Sequence, residues 1–214
     1  MMEHVSTCCM VVVVAEAPNF QNEMRRLLRE RVIDTARRLV CTEGWGAVNM
    51  SRVAKEVGVS RPVLYKEIGT KQDLAGVVIA SELETFLVGV TETVTAEPGD
   101  LLAGITAAAE FTLRTAADNT LLKAVLAGRS GADTTLLPTL MTEPEPVLGR
   151  ATAAFTAILR TRYGLESFSA PELDTRVEAV VRLVLSHLFQ PAGSIDRAVA
   201  QIALVAAPLF VREQ

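Results

Sequence analysis

Two cationic side chains, Arg61 and Lys66, stand with Ser60 and Tyr65 on a short stretch that reads as an exposed helix. Guanidinium, ammonium and hydroxyl donors at that spacing suit phosphate oxygens and the acceptor edges of bases, because a helix fits the major groove and its first turns reach base edges. Arg61 can donate to guanine O6 and N7 or to a phosphate, and Pro62 and Val63 can meet thymine methyls. Ser60, Tyr65 and Lys66 are phosphate donors, which set register without reading sequence. Asn49 and Arg52, one element earlier, extend the set, as does Lys71 at the next helix's N-terminus, where its charge and the free N–H groups both favour a phosphate.

These residues need a frame, and the local signals supply one. Asn49 is a good N-cap, and Met50, Val53, Ala54 and Val57 follow at helical spacing. Gly58 ends that helix where a left-handed residue is sterically cheap. Ser60 caps the next, with Pro62 in its first turn, where no backbone N–H is needed. Val59 and Leu64 pin the two helices together. A turn this short forces a steep crossing and lets the second helix project. The pattern is a helix-turn-helix; a helical hairpin with a merely solvated basic face would carry the same signals.

The segment resembles the DNA-binding domain of the TetR family of bacterial transcriptional regulators. The matching residues are Gly44-Trp45, Asn49, Val53-Ala54, Gly58-Val59-Ser60, Leu64-Tyr65 and Lys71, in fixed register, and the resemblance covers about residues 24–92. Two positions depart from the family pattern. Ile68 replaces a usual Phe, a packing change. Glu67 replaces an aromatic or His and would repel phosphates unless paired, with Lys71 as the nearest candidate.

Charge divides along the chain in the same sense. Formal net charge is −4, yet residues 21–71 hold eleven Lys/Arg against six Asp/Glu, a net of +5, and residues 72–214 a net of −7. A basic head on an acidic body is what a separable nucleic-acid-binding unit requires. Catalytic chemistry is poorly represented: the two histidines are His4 and His187, and no nucleophile elbow, phosphate-cradling glycine loop or His/carboxylate cluster occurs. No enzyme activity, cofactor or metal is expected. Cys8 and Cys9, with His4, make an incomplete metal site, and Cys41 reads as a buried packing residue of the first helix.

Residues 1–22 read as a disordered extension, or as upstream of a true start at Met24; their apolar run, Cys9–Ala15, is too short to cross a bilayer and lacks a basic flank. No transmembrane segment is evident, and the cytoplasm is the expected location. Helix 1 should run from Glu23 to Thr42 and bury Leu28, Val32, Ala36, Leu39 and Val40, with Arg37 and Arg38 as solvated surface. A helix from Thr70 to about Thr93 links head to body, and further helical stretches lie near 100–116, 119–128, 144–163, 171–189 and 194–211. Ser169 with Glu172 fits a capping box. The expected fold is all-α: a three-helix DNA-binding domain with a helix-turn-helix over 23–71 and a larger helical effector-binding and dimerisation domain over 72–214.

The last two helices are apolar on more than one face, so a second stripe must be hidden. A two-fold, four-helix contact would hide it, as the resemblance also implies, with Val177, Val181, Val184, Leu188, Val199, Ile202 and Val205 at the interface. Family resemblance further implies a ligand pocket in the body, for which Phe86, Phe111, Leu122, Leu126, Phe155 and Leu159 are candidate linings. Arg114 and Lys123 are the closest cations to those faces, so a small apolar or weakly polar effector is expected, with acyl-CoA still compatible. The functional expectation is a homodimeric repressor, released by that effector from a palindromic operator in double-stranded DNA. A constitutive or architectural DNA binder and a helical protein-interaction module are the alternatives.

Overall fold

The computed structural model describes residues 20–127 and 145–210, with side chains described at 20–123 and 147–210. Helix α1 spans Phe20–Glu43, followed by a 3₁₀ turn at Trp45–Ala47, α2 at Met50–Val57, α3 at Arg61–Glu67 and α4 at Lys71–Ala96. Beyond these lie α5 (Leu101–Asp118), α6 (Thr120–Ala127), α7 (Glu145–Tyr163), α8 (Ala170–Phe189) and α9 (Ile195–Phe210). Among the described residues there is no strand, and the fold is all-α.

The first four helices form because their caps and apolar periods agree. Asn49 Oδ1 accepts from the backbone N–H of Arg52 at 2.8 Å, and Gly58 takes φ of 84° to end α2. Ser60 Oγ accepts from Val63 N–H at 3.4 Å to open α3. Thr70 and Asp73 form a reciprocal capping box at the start of α4. The Asp73 carboxyl is held below its usual range by the backbone N–H and hydroxyl of Thr70. That cap is intact above the ordinary carboxylate range and opens only at more acid pH.

Two apolar clusters organise the chain. The first gathers Val32, Ala36, Leu39 and Val40 of α1, Trp45, Val53, Ala54, Val57, Leu64, Ile68 and the start of α4, and it also takes Leu121 from α6. The second joins the far half of α4 to α5, α7, α8 and α9. Helix α4 belongs to both. By length and composition α4 would cross a membrane, with mean hydropathy of 1.6 over its most apolar window. Here its apolar residues contribute to both clusters, Leu74 and Val78 to the first, Val90 and Val94 to the second.

Several sequence expectations change. Helix α1 begins at Phe20, so residues 20–22, expected to be disordered, are helical. Cys41, expected to be buried, is exposed, because it lies on the face of α1 opposite the stripe of Val32, Ala36, Leu39 and Val40. Ser169, expected to open a capping box with Glu172, makes no capping hydrogen bond from its side chain, and the Glu172 carboxylate pairs with Arg176 at 2.8 Å. His4, Cys8 and Cys9 lie outside the described residues.

Candidate nucleic-acid interface and ligand cavity

Leu64 is the one buried residue of α3, at 0% exposure. That anchor leaves Ser60, Arg61, Pro62, Val63, Tyr65 and Lys66 exposed, with Val63 at 40% and Tyr65 at 44%. Large apolar and aromatic groups held in solvent beside cations suit a surface that contacts another molecule. Among the described residues, Arg61 and Lys66 have no ion pair or side-chain hydrogen bond, so neither need break a bond to reach DNA. Arg61→Ala is expected to cost about 1–3 kcal/mol and relax preference at one base pair if the guanidinium reads guanine. Isotherms on single-base variants of the binding site test this; equal weakening on every sequence would assign Arg61 to the backbone.

Other sequence-predicted contacts are already engaged. Arg52 pairs with Glu43 through both terminal nitrogens, at 2.8 and 2.6 Å, and its Nε donates to Glu56 at 3.0 Å. This bidentate pairing raises the Arg52 pKa and holds Glu43 and Glu56 below the usual carboxylate range. Arg52 is therefore a brace between α1 and α2 and not a free DNA contact. Arg38, read as solvated, joins the same network through Glu56. Asn49 spends its side-chain oxygen on the cap and keeps its amide hydrogens. Lys71 Nζ donates to the Trp45 carbonyl at 3.1 Å and lies 5.0 Å from the centre of that indole. Lys71 thus ties the start of α4 to the turn after α1, with hydrogens left for a phosphate. Glu67 pairs with Arg25 at 3.6 Å, not with Lys71, and this offsets the carboxylate near the basic face.

In the body a cavity of about 190 Å³ lies between α4, α5, α6, α7 and α8. Phe86, Leu122 and Phe155, three of the predicted lining residues, face it. Phe111 and Leu159 do not. Phe111 packs over Gly89 of α4, where no Cβ stands in its way, and Leu159 is fully buried in the second cluster. The side chain of Leu126 lies outside those described. Glu82, Thr112 and Asn119 are the polar members of the wall. Arg114 turns away to Glu110 and Asp196, at 2.7 and 2.9 Å. Lys123 borders a second hollow beside the α8–α9 turn.

The predicted dimer residues separate into three groups. Val177 and Ile202 are fully buried in their own subunit and cannot meet a partner. Val181, Val184 and Leu188 line the cavity, and Val199 packs against the second cluster. Val205 alone lies on an open face, at 42% exposure, beside Leu204 at 76%. Sequence reasoning did not single out Leu204 as the most exposed residue of this stretch, because apolar residues occupy several faces of α9 and no stripe stands out.

Residues 32–78 match the family of bacterial regulatory proteins, tetR family, and residues 100–208 match the bacterial tetracyclin repressor C-terminal domain. The HTH-type transcriptional regulator AlkX of Mycobacterium tuberculosis is 27% identical over 209 residues, 97% of each chain. Among solved structures, the TetR family repressor AlkX of Dietzia sp. strain DQ12-45-1b, implicated in biodegradation of n-alkanes, is similar with a TM-score of 0.69. It is 25% identical, over 85% of this chain and 94% of that one. The R. erythropolis transcriptional repressor QsdR shares the fold, with a TM-score of 0.63 at 23% identity over 88% and 98%.

Proposed function

The chain belongs to the TetR family of bacterial regulatory proteins, and on that premise we propose that it is a homodimeric repressor released from its operator by a small aliphatic effector. It is a DNA-binding transcriptional regulator and not an enzyme. Residues 23–71 serve as the DNA-binding head, and 72–214 as the effector-binding and dimerisation body. Each subunit sets α3 into one half of a palindromic site in the cytoplasm, with Arg61 and Lys66 foremost and Ser60, Pro62, Val63 and Tyr65 in support. Two-fold symmetry asks for half-sites about 34–36 Å apart, or somewhat more, on one face of the duplex.

The observation that carries this reading is the unpartnered, exposed cationic face of α3. Behind it stands a single helix, α4, that leaves the head and becomes a wall of the cavity. An effector that displaces α4 alters the separation of the two heads, and both must fit at once. A coupling of about 1–3 kcal/mol changes affinity by about 5- to 150-fold. The cavity lining is mostly aliphatic, and the Dietzia relative is implicated in n-alkane breakdown. Both favour an effector of low polarity. Footprinting on DNA flanking its own gene is the test, with two protected half-sites expected. Absence of preference for any double-stranded sequence at moderate ionic strength would overturn the reading.

A further inference from the structure

We propose that Glu82 is the residue through which the cavity communicates with the head, and that the effector presents a hydrogen-bond-donating end to it. The inference rests on the repressor reading for its biological meaning, and on the following geometry for its substance. Glu82 lies on α4 and is the one charged residue among the described residues of the cavity wall. Its side chain is 19% exposed. One carboxylate oxygen accepts from Arg37 Nη2 of α1 at 2.6 Å, and the other accepts from Asn119 Nδ2 at 2.9 Å. Asn119 in turn accepts from the backbone N–H of Leu122 at 2.8 Å, and both Asn119 and Leu122 face the cavity. One carboxylate therefore joins α1, α4 and the start of α6 at the cavity surface.

Both ends of this network run into the head. Arg37 lies on α1 between Ala36 and Leu39, each fully buried in the first cluster. Leu121, two residues after Asn119, is buried in the same cluster. The Arg37 guanidinium also lies 3.5 Å from Ser81 Oγ and 3.6 Å from Asp34, while its Nε is buried with no partner. Arg37, read from sequence as solvated surface, is instead the cation that binds α1 to the cavity wall.

The polar surface open to an occupant is mainly accepting. Thr112 Oγ1 gives its hydrogen to the Ala108 carbonyl at 2.8 Å, leaving lone pairs. Glu82 offers the rest of its lone pairs, and Asn119 has one spare amide hydrogen. Among the described residues of the wall there is no Lys, Arg or His. A hydroxyl-bearing aliphatic molecule donates to Glu82 and competes with Arg37 for it. A carboxylate in the same place sets like charges together where water is scarce.

The chain has one tryptophan, Trp45, which is 6% exposed in the head cluster, so its emission reports on the head without any DNA present. In the full-length protein, 1-decanol is expected to displace the neutral dye N-phenyl-1-naphthylamine and, in a separate titration without dye, to shift Trp45 emission. Decanoate is expected to bind about tenfold more weakly. In Arg37→Met, decanol should still displace the dye while the Trp45 shift falls about fivefold; Arg37→Lys, which keeps a cation opposite Glu82, should retain it. In Glu82→Gln, the preference for decanol over decanoate should shrink to about threefold or less. A Trp45 shift undiminished in Arg37→Met would overturn the coupling. Failure of decanol to displace the dye, or parity of decanoate with decanol in the unaltered protein, would overturn the effector class. Since no duplex enters these titrations, failure of the operator reading would register separately, in the footprint.

Discussion

Leu204→Glu is expected to leave the protein monomeric at micromolar concentration and to weaken dimerisation by about three to four decades. Leu204 is 76% exposed, on the side of α9 away from Ala198, Ile202 and Ala206, which are buried in the core of the chain, and Val205 beside it is 42% exposed. Burying one leucine is worth about 1.5–3 kcal/mol, and a two-fold contact uses it twice. The glutamate forfeits that burial and brings an unpaired charge to an apolar face, so a total of about 4–6 kcal/mol is at stake. Sedimentation velocity reads the change directly, and binding to a two-half-site duplex should fall with it. A charge at Val181 should behave differently, because Val181 lines the cavity: the dimer should persist while effector response is lost. A dimer that survives Leu204→Glu would move the interface off α9.

That contrast shows where sequence reasoning reaches its limit. The helix-turn-helix was legible because its signals are local. Asn49, Gly58 and Ser60 each act within three or four residues, and one buried stripe per helix leaves no choice of face. Helices α8 and α9 carry Val180, Val181, Leu183, Val184 and Leu185 in near succession and Leu204, Val205 and Ala206 likewise. A helix apolar all round has no periodicity to say which side meets the core, the cavity or a partner. Tertiary position alone assigned Val177 to the core, Val184 to the cavity and Leu204 to the open face.

Charged residues were illegible for a related reason. Arg37 finds Glu82 and Arg52 finds Glu43 only once the helices cross, and nothing in the spacing announces those partners. Even identical local patterns diverge. Thr70 with Asp73 closes a capping box, whereas Ser169 makes no side-chain cap and Glu172 pairs with Arg176 one turn on. The chemistry of a side chain shows in the sequence; its availability is settled by what the fold sets beside it.

Leu64→Ala should then abolish binding to every duplex while leaving the body folded. Leu64 is fully buried and is the anchor of α3, packing in the cluster that holds Val53, Ala54, Val57 and Trp45. Truncating a buried leucine costs about 2–5 kcal/mol, depending on how far the cavity left behind collapses. Small units have little stability to lose, since their buried fraction is low, and within α3 Leu64 is the one buried residue. Trp45 separates the two units in one experiment. Its emission should report head unfolding at lower denaturant, while far-ultraviolet ellipticity, dominated by α4 to α9, unfolds near the wild-type midpoint. Loss of affinity should be uniform across sequences, unlike the base-selective loss expected of Arg61→Ala. Coincident midpoints by the two probes would mean that Leu121 and the start of α4 bind head and body into one cooperative unit, and the head would then have no separate stability to lose.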